Sequence, residues 1–446
     1  MKIIREIGCV KFIILSYIQK IQIMFIDENI IFMYIKLNQL VKEKCMKKHA
    51  RWMYILNGII IMMLLGTVYS YSIFRKSLEE TFKIGSAESG LPYMVALGFY
   101  ALFMFLSGKM IERFHPRRMM LFGGFLVSLG WILSYFASGI THLVVTYGMI
   151  TGAGVGIAYG VIINVVAKWF VDKRGFAVGL VLIGFGMSPL IVAPIVRDLI
   201  SNFGIMNTFL YLGLAYAVLI PVLAIPFRYP TQNETVRFDK IQNVSGDLKS
   251  FTTSEMVKSK RFKGLYINFI IGTMIGLMLI GLTFGIGTDY VDISPTTVTA
   301  MISAFAIFNG MGRPFSGWLT ERLSPLKSML ISYGLIMIAS LIMIISQGRM
   351  PVLFFVAFAM FWFNLGSWLA IAPTTTILFF GAKNYSQNYS VVFTAYGVGA
   401  ILGVLTSGAF IDIVKDYSIL FYYIFFLSLI GIFVSTTMLK SHKGRT

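Results

Sequence analysis

The residue best placed to do chemistry in this chain is Arg313, a cation inside the apolar run 295–319. Placing a guanidinium in a membrane-spanning helix costs about 2.5–3.5 kcal/mol on insertion scales, so such a residue usually has a task. Its planar, permanently charged fork suits a carboxylate, to which it donates two parallel hydrogen bonds. Asn309 lies one helical turn earlier on the same face. Its amide can donate to the second carboxylate oxygen, or to a hydroxyl or keto group. All fifteen Asp and Glu beyond position 45 fall in loops or at the ends of apolar runs. With no internal acid to neutralise it, Arg313 points to an anionic substrate. Snorkelling to the interface and pairing with an acid at a helix end are the alternatives.

Other chemistries lack their residues. Cys9 and Cys45 both precede the first apolar run, and His49, His115, His142 and His442 sit at run ends or in tails. No metal set, disulfide framework, nucleophile–base pair or phosphate loop is legible. Neither an enzyme nor a cofactor is expected. The small-residue series Gly152, Gly156 and Gly160 is a helix-packing device rather than a nucleotide loop.

The elements that must position Arg313 follow from composition. Hydrophobic residues make up 57% of the 446, charged residues 13%, and the mean hydropathy is +0.79. A water-exposed surface cannot be built from so few charges, whereas lipid accepts it. Twelve apolar runs of about 20 residues, each long enough to cross a bilayer, predict an all-α polytopic membrane protein. The expected layout is an N-terminal extension 1–50, six helices over 51–228, a polar linker 229–262, six more over 263–440, and a tail 441–446. Translation from Met46 would leave a basic lead-in to the first span. The net charge of +19 is spread between apolar runs, as topology signals are, so nucleic acid is not an expected partner. Of 31 Lys and Arg beyond position 45, 24 fall on one side of the predicted membrane and six on the other. By the positive-inside rule both termini are cytoplasmic, in the cell membrane. A monomer is expected.

An internal repeat relates the two sets of six. Ser107 to Leu121 and Ser316 to Leu330 share Ser, Gly, Glu, Arg, Pro, a basic residue, Met and Leu at a constant offset of 209. The halves are thus a duplicated six-helix unit, predicting two pseudo-symmetric bundles. Gly108 and Gly317 would admit a close neighbouring helix. Glu112 and Glu321 would cap a neighbouring helix N-terminus. Arg113, Arg117 and Arg322 would anchor the loop, making and breaking contacts as the bundles rock.

This loop resembles the signature motif of the major facilitator superfamily, with Glu112 for the usual Asp and His115 for the usual Gly. More narrowly, the chain resembles the oxalate/formate antiporter and monocarboxylate transporter branch. That likeness rests on Gly66 to Phe74, Gly152 to Tyr159, Lys168-Trp169-Phe170 through Lys173-Arg174-Gly175, and Asn309 to Arg313. It implies twelve helices, an alternating-access mechanism, and Arg313 with Asn309 in contact with a monocarboxylate. It also implies that Tyr159 offers its phenol to the carboxylate. Trp368 is the 209-residue equivalent of Tyr159, and Tyr69 is a further candidate. Tyr396 stands where oxalate-exchanging relatives carry a lysine, which argues for one carboxylate rather than two.

The expectation is a secondary transporter of small monocarboxylates such as lactate, pyruvate or formate. It would work as a proton symporter or as an exchanger against a counter-anion. An efflux carrier for a drug or another organic anion, and a non-transporting membrane sensor, are the rival readings.

Overall fold

The apolar runs fold as helices because a backbone surrounded by hydrocarbon must satisfy its own hydrogen bonds. In the computed structural model the described residues are 51–439, apart from 111–112, 171–173, 232–249, 382 and 415. The extension 1–50, Glu112, most of the linker and the tail 441–446 lie outside them. The helices are α1 (Arg51–Phe82), α2 (Ser86–Met110), α3 (Pro116–Ser134) and α4 (Ile140–Trp169). Next, α5 (174–203) and α6 (205–224) are joined only by Gly204, whose φ of 78° breaks the helix and suits a residue without a side chain. The second set comprises α7 (Lys260–Tyr290), α8 (Pro295–Arg322), α9 (Pro325–Ser346), α10 (Pro351–Phe380), α11 (Tyr385–Val414) and α12 (Ser418–Met438).

Nine described stretches are long and apolar enough to cross a membrane, and one of them is α5 and α6 together. The other two helices, α3 and α8, carry Arg117–Arg118 and Asn309–Arg313. The first helix, expected from its apolar run to span 52–74, continues to Phe82, so Arg75 is part of a helix and not of a loop.

The repeated loop has the same job twice. His115 and Ser324 are the N-cap residues of α3 and α9. Each accepts from the backbone N–H two or three residues on (Arg117 and Lys327, 3.3 Å each) and is followed by Pro at the first helical position. His115 therefore does the capping itself.

The described residues from Tyr54 onward form one compact unit. The two sets of six meet chiefly where α5 lies along α8 and α2 along α11. A short helix, Thr253–Lys258, with a Thr252/Glu255 capping box, ties the linker to the second set. Beside it, Thr253 Oγ1 donates to Asn388 Oδ1 at 2.9 Å, and the Asn384 and Asn388 amides donate to the Phe251 carbonyl.

Candidate functional site

Arg313 sits at 0% exposure where α8 crosses α5. Its Nη1 donates to the Leu182 carbonyl of α5 at 2.7 Å, and its Nη2 donates to Asn309 Oδ1 at 3.1 Å. The guanidinium also lies 5.7 Å from the Phe185 ring centroid, within cation–π range. Asn309 Nδ2 in turn donates to the Trp362 carbonyl of α10 at 3.1 Å. Both polar ends of Asn309 are thus committed to protein. It orients the arginine here, and the sequence's expectation of an amide contact to substrate rests on its second N–H.

Close helix contact makes this placement possible. A Cβ on Gly186 would lie 2.5 Å from Asn309 Oδ1 and 2.9 Å from Arg313 Nε. A Cβ on Gly366 would lie 2.0 Å from the Asn309 carbonyl, so α8 is wedged between two glycine surfaces.

Around the cation stands an aromatic box contributed by α1, α2, α4, α5 and α11. Tyr69 faces Arg313, and its hydroxyl is 3.1 Å from that of Tyr396, so one hydrogen bond joins the two halves. Tyr159 packs on Tyr100, Phe185 and Phe393 at centroid distances of 5.1, 5.5 and 5.6 Å. Phe393 stacks on Tyr396 at 4.9 Å. Both Tyr159 and Tyr389 are near enough to feel the Arg313 charge. Of the six sequence candidates, Arg313, Asn309, Tyr159, Tyr69 and Tyr396 come together. Trp368 does not: its ring packs on Tyr333 at 5.2 Å and against Gly272 of α7, inside the second set of helices.

Several buried polar atoms in this cluster have no hydrogen-bond partner among the described residues. They include Arg313 Nε and the hydroxyls of Tyr159 and Tyr389. Orphaned buried donors are uncommon and costly, and a group of them around one cation has the shape of a ligand's missing half. No Asp or Glu is buried among the described residues, so no buried acid among them compensates Arg313.

At the motif loops the two repeats differ. A Cβ on Gly108 would meet Ser390 Oγ of α11 at 2.7 Å, whereas a Cβ on Gly317 finds nothing nearer than 3.8 Å. The close approach foreseen for both glycines holds only for the first. Arg113 and Arg117 are exposed. Arg322 lies over the Trp318 ring at 5.2 Å. The Glu321 side chain is exposed, and its expected capping bond is absent among the described residues.

One charged residue escaped sequence reading. Arg75, on the extended part of α1, donates from Nη1 to the Gly281 carbonyl of α7 at 2.9 Å and from Nε to Ser89 Oγ at 3.1 Å. Ser89 Oγ donates to Glu79 Oε1 at 2.6 Å. The side chain borders a cavity of about 170 Å³, shared with Tyr93, Glu88, Gly281 and Ser407. The spacing of Tyr71, Arg75 and Glu79, four residues apart on one face, was the available signal.

Comparison with known proteins agrees with this architecture. The sequence profile of the Major Facilitator Superfamily matches residues 52–290 and again 264–445. The chain is 28% identical over 356 residues to the oxalate:formate antiporter of Oxalobacter formigenes, covering 79% of this chain and 83% of that protein. It is 25% identical to the uncharacterized MFS-type transporter YhjX of Escherichia coli K12, covering 79% and 87%. Monocarboxylate transporter 12 of Xenopus laevis is 26% identical, covering 67% and 69%. With both sets of six helices matched, this chain belongs to the major facilitator superfamily of membrane transporters.

Proposed function

We propose that this transporter moves small monocarboxylate anions, of the lactate, pyruvate or formate kind, by alternating access. The observation that carries the reading is the buried guanidinium of Arg313, with no buried acid among the described residues and beside unsatisfied phenols. In the closed arrangement its fork is held by the Leu182 carbonyl and Asn309. Separation of α5 from α8 frees Nη1, and a carboxylate replaces the neutral Leu182 carbonyl, adding the attraction of opposite charges to the hydrogen bond. The Phe185 and Phe393 faces exclude water and take the apolar end of the substrate. Its relatives' names support an organic anion as cargo. Arg313 is the single buried cation facing the box among the described residues, and with Tyr396 beside it this favours one carboxylate over two. Both termini face the cytoplasm in this reading, with the chain in the cell membrane as a monomer. A proton or a counter-anion is the coupling partner.

Uptake into proteoliposomes of labelled formate, acetate, lactate, pyruvate, oxalate and a neutral sugar tests this. Imposed pH gradients and preloaded anions then separate symport from exchange. Monocarboxylate uptake should vanish in Arg313→Ala. In Arg313→Lys it should fall by about tenfold or more, because a hydrogen bond to a charged group is lost with the planar fork. Preference for oxalate would overturn the single-carboxylate assignment, and uptake by Arg313→Ala at the wild-type rate would overturn the site.

A further inference from the structure

Beyond the residues assigned so far, α11 carries an aromatic row on the face turned to the first set of helices. Tyr385 stacks on Tyr389 at 5.6 Å, Tyr389 meets Phe393 at 5.8 Å, and Phe393 stacks on Tyr396 at 4.9 Å. The 4-4-3 spacing puts all four on one helical stripe, leading from the central box toward the linker end of the bundle. A bland role, filling space, explains three of them. Tyr396 has a hydroxyl partner in Tyr69, Phe393 needs none, and Tyr385 sits at the mouth of the row. Tyr389 is different. It is 2% exposed, its hydroxyl has no partner among the described residues, and its neighbours in charge are Tyr159, Tyr385, Arg313 and Tyr69. A phenylalanine would fill the same space without leaving a buried hydroxyl unpaired, which costs about 1–3 kcal/mol. Tyr93, on the wall of the Arg75 cavity, also has an unpartnered hydroxyl, but other buried tyrosines away from Arg313 find partners. Tyr333 donates to Asn268, and Tyr216 lies in hydrogen-bond contact with Thr67.

We propose that Tyr389 is a substrate-binding residue: its hydroxyl donates to the carboxylate held by Arg313, from the linker side of the site. The proposal rests on the monoanion reading above and adds a second donor to it. One carboxylate oxygen takes the Arg313 fork and the other takes the Tyr389 phenol. The orphaned Arg313 Nε and Tyr159 hydroxyl are satisfied as the anion settles among them. The arrangement also explains how one cation is enough, since a phenol supplies the donor that a second cation would otherwise provide.

The test is Tyr389→Phe, which removes one oxygen and nothing else, with Tyr333→Phe as the comparison. Purified proteins are reconstituted, and KM and maximal rate are read for whichever monocarboxylate of the panel the wild type takes up. Thermal unfolding midpoints are read in detergent. Losing an orphan hydroxyl should leave the midpoint unchanged or raise it, while KM rises about tenfold or more. Tyr333→Phe should do the reverse, lowering the midpoint and sparing KM. Wild-type KM in Tyr389→Phe overturns the contact while leaving the transport function standing. A fall in midpoint with unaltered KM makes Tyr389 structural and also overturns it. If wild-type protein takes up no monocarboxylate at all, the function itself falls and the contact falls with it.

Discussion

Arg313 is seated in an apolar interior against two oxygens and a ring face. Leu182 and Asn309 supply the oxygens and Phe185 supplies the face. The geometry leaves no slack. In Gly186→Ala the new methyl would lie 2.9 Å from Arg313 Nε and 2.5 Å from Asn309 Oδ1, so the guanidinium must shift. Transport by Gly186→Ala is expected to drop on the order of tenfold with little change in expression, since misplacing a binding group by about 1 Å has costs of this size or larger. Wild-type kinetics in that variant would show that the contact yields freely. At this scale the sequence exposed Arg313, as a charge in an apolar run. Tyr389 was hidden, because a tyrosine in such a run reads as packing until its hydroxyl is seen without a partner.

Helix contacts decide what the motif loops do. The repeat predicts equivalent roles for Gly108 and Gly317, yet only Gly108 is packed too closely to admit a side chain, with Ser390 of α11 at 2.7 Å from where a Cβ would stand. Gly108→Ala should therefore hold α2 away from α11, slowing uptake and lowering the thermal midpoint. Gly317→Ala, with 3.8 Å of room, should behave as wild type in both. Equal effects of the two would mean that the asymmetry does not matter to the cycle. The twelve helices themselves were legible to within a few residues, because their apolar length is set by the bilayer. The error at α1 has a physical source. Arg75 looked like the first polar residue past a span, but Ser89 and the Gly281 carbonyl bind its guanidinium, so the helix runs on through it.

Across the whole molecule, the two sets of helices touch on either side of the fully buried Arg313. On the linker side, α2 meets α11 at Gly108. On the other side, Arg75 spans from Ser89 of α2 to Gly281 of α7 and so links the two sets of helices. If that link holds the end closed, Arg75→Ala should open it more often. A cysteine placed at Ser407, on the wall of the 170 Å³ cavity, would report it in a background lacking Cys9 and Cys45. Its modification by a membrane-impermeant thiol reagent should speed up several-fold in Arg75→Ala. Unaltered labelling would mean that other contacts keep this end shut. The membrane class, the twelve-helix count, the duplication and the buried cation were all determined by the sequence. Each depends on local apolar length, on a repeat, or on a charge out of place. Only the tertiary structure decided that Asn309 serves the arginine, that Trp368 belongs to another contact, and that Arg75 and Tyr389 face the interior. Those facts depend on which helix lies opposite, and the pairings of α8 with α5 and α2 with α11 join residues more than a hundred positions apart.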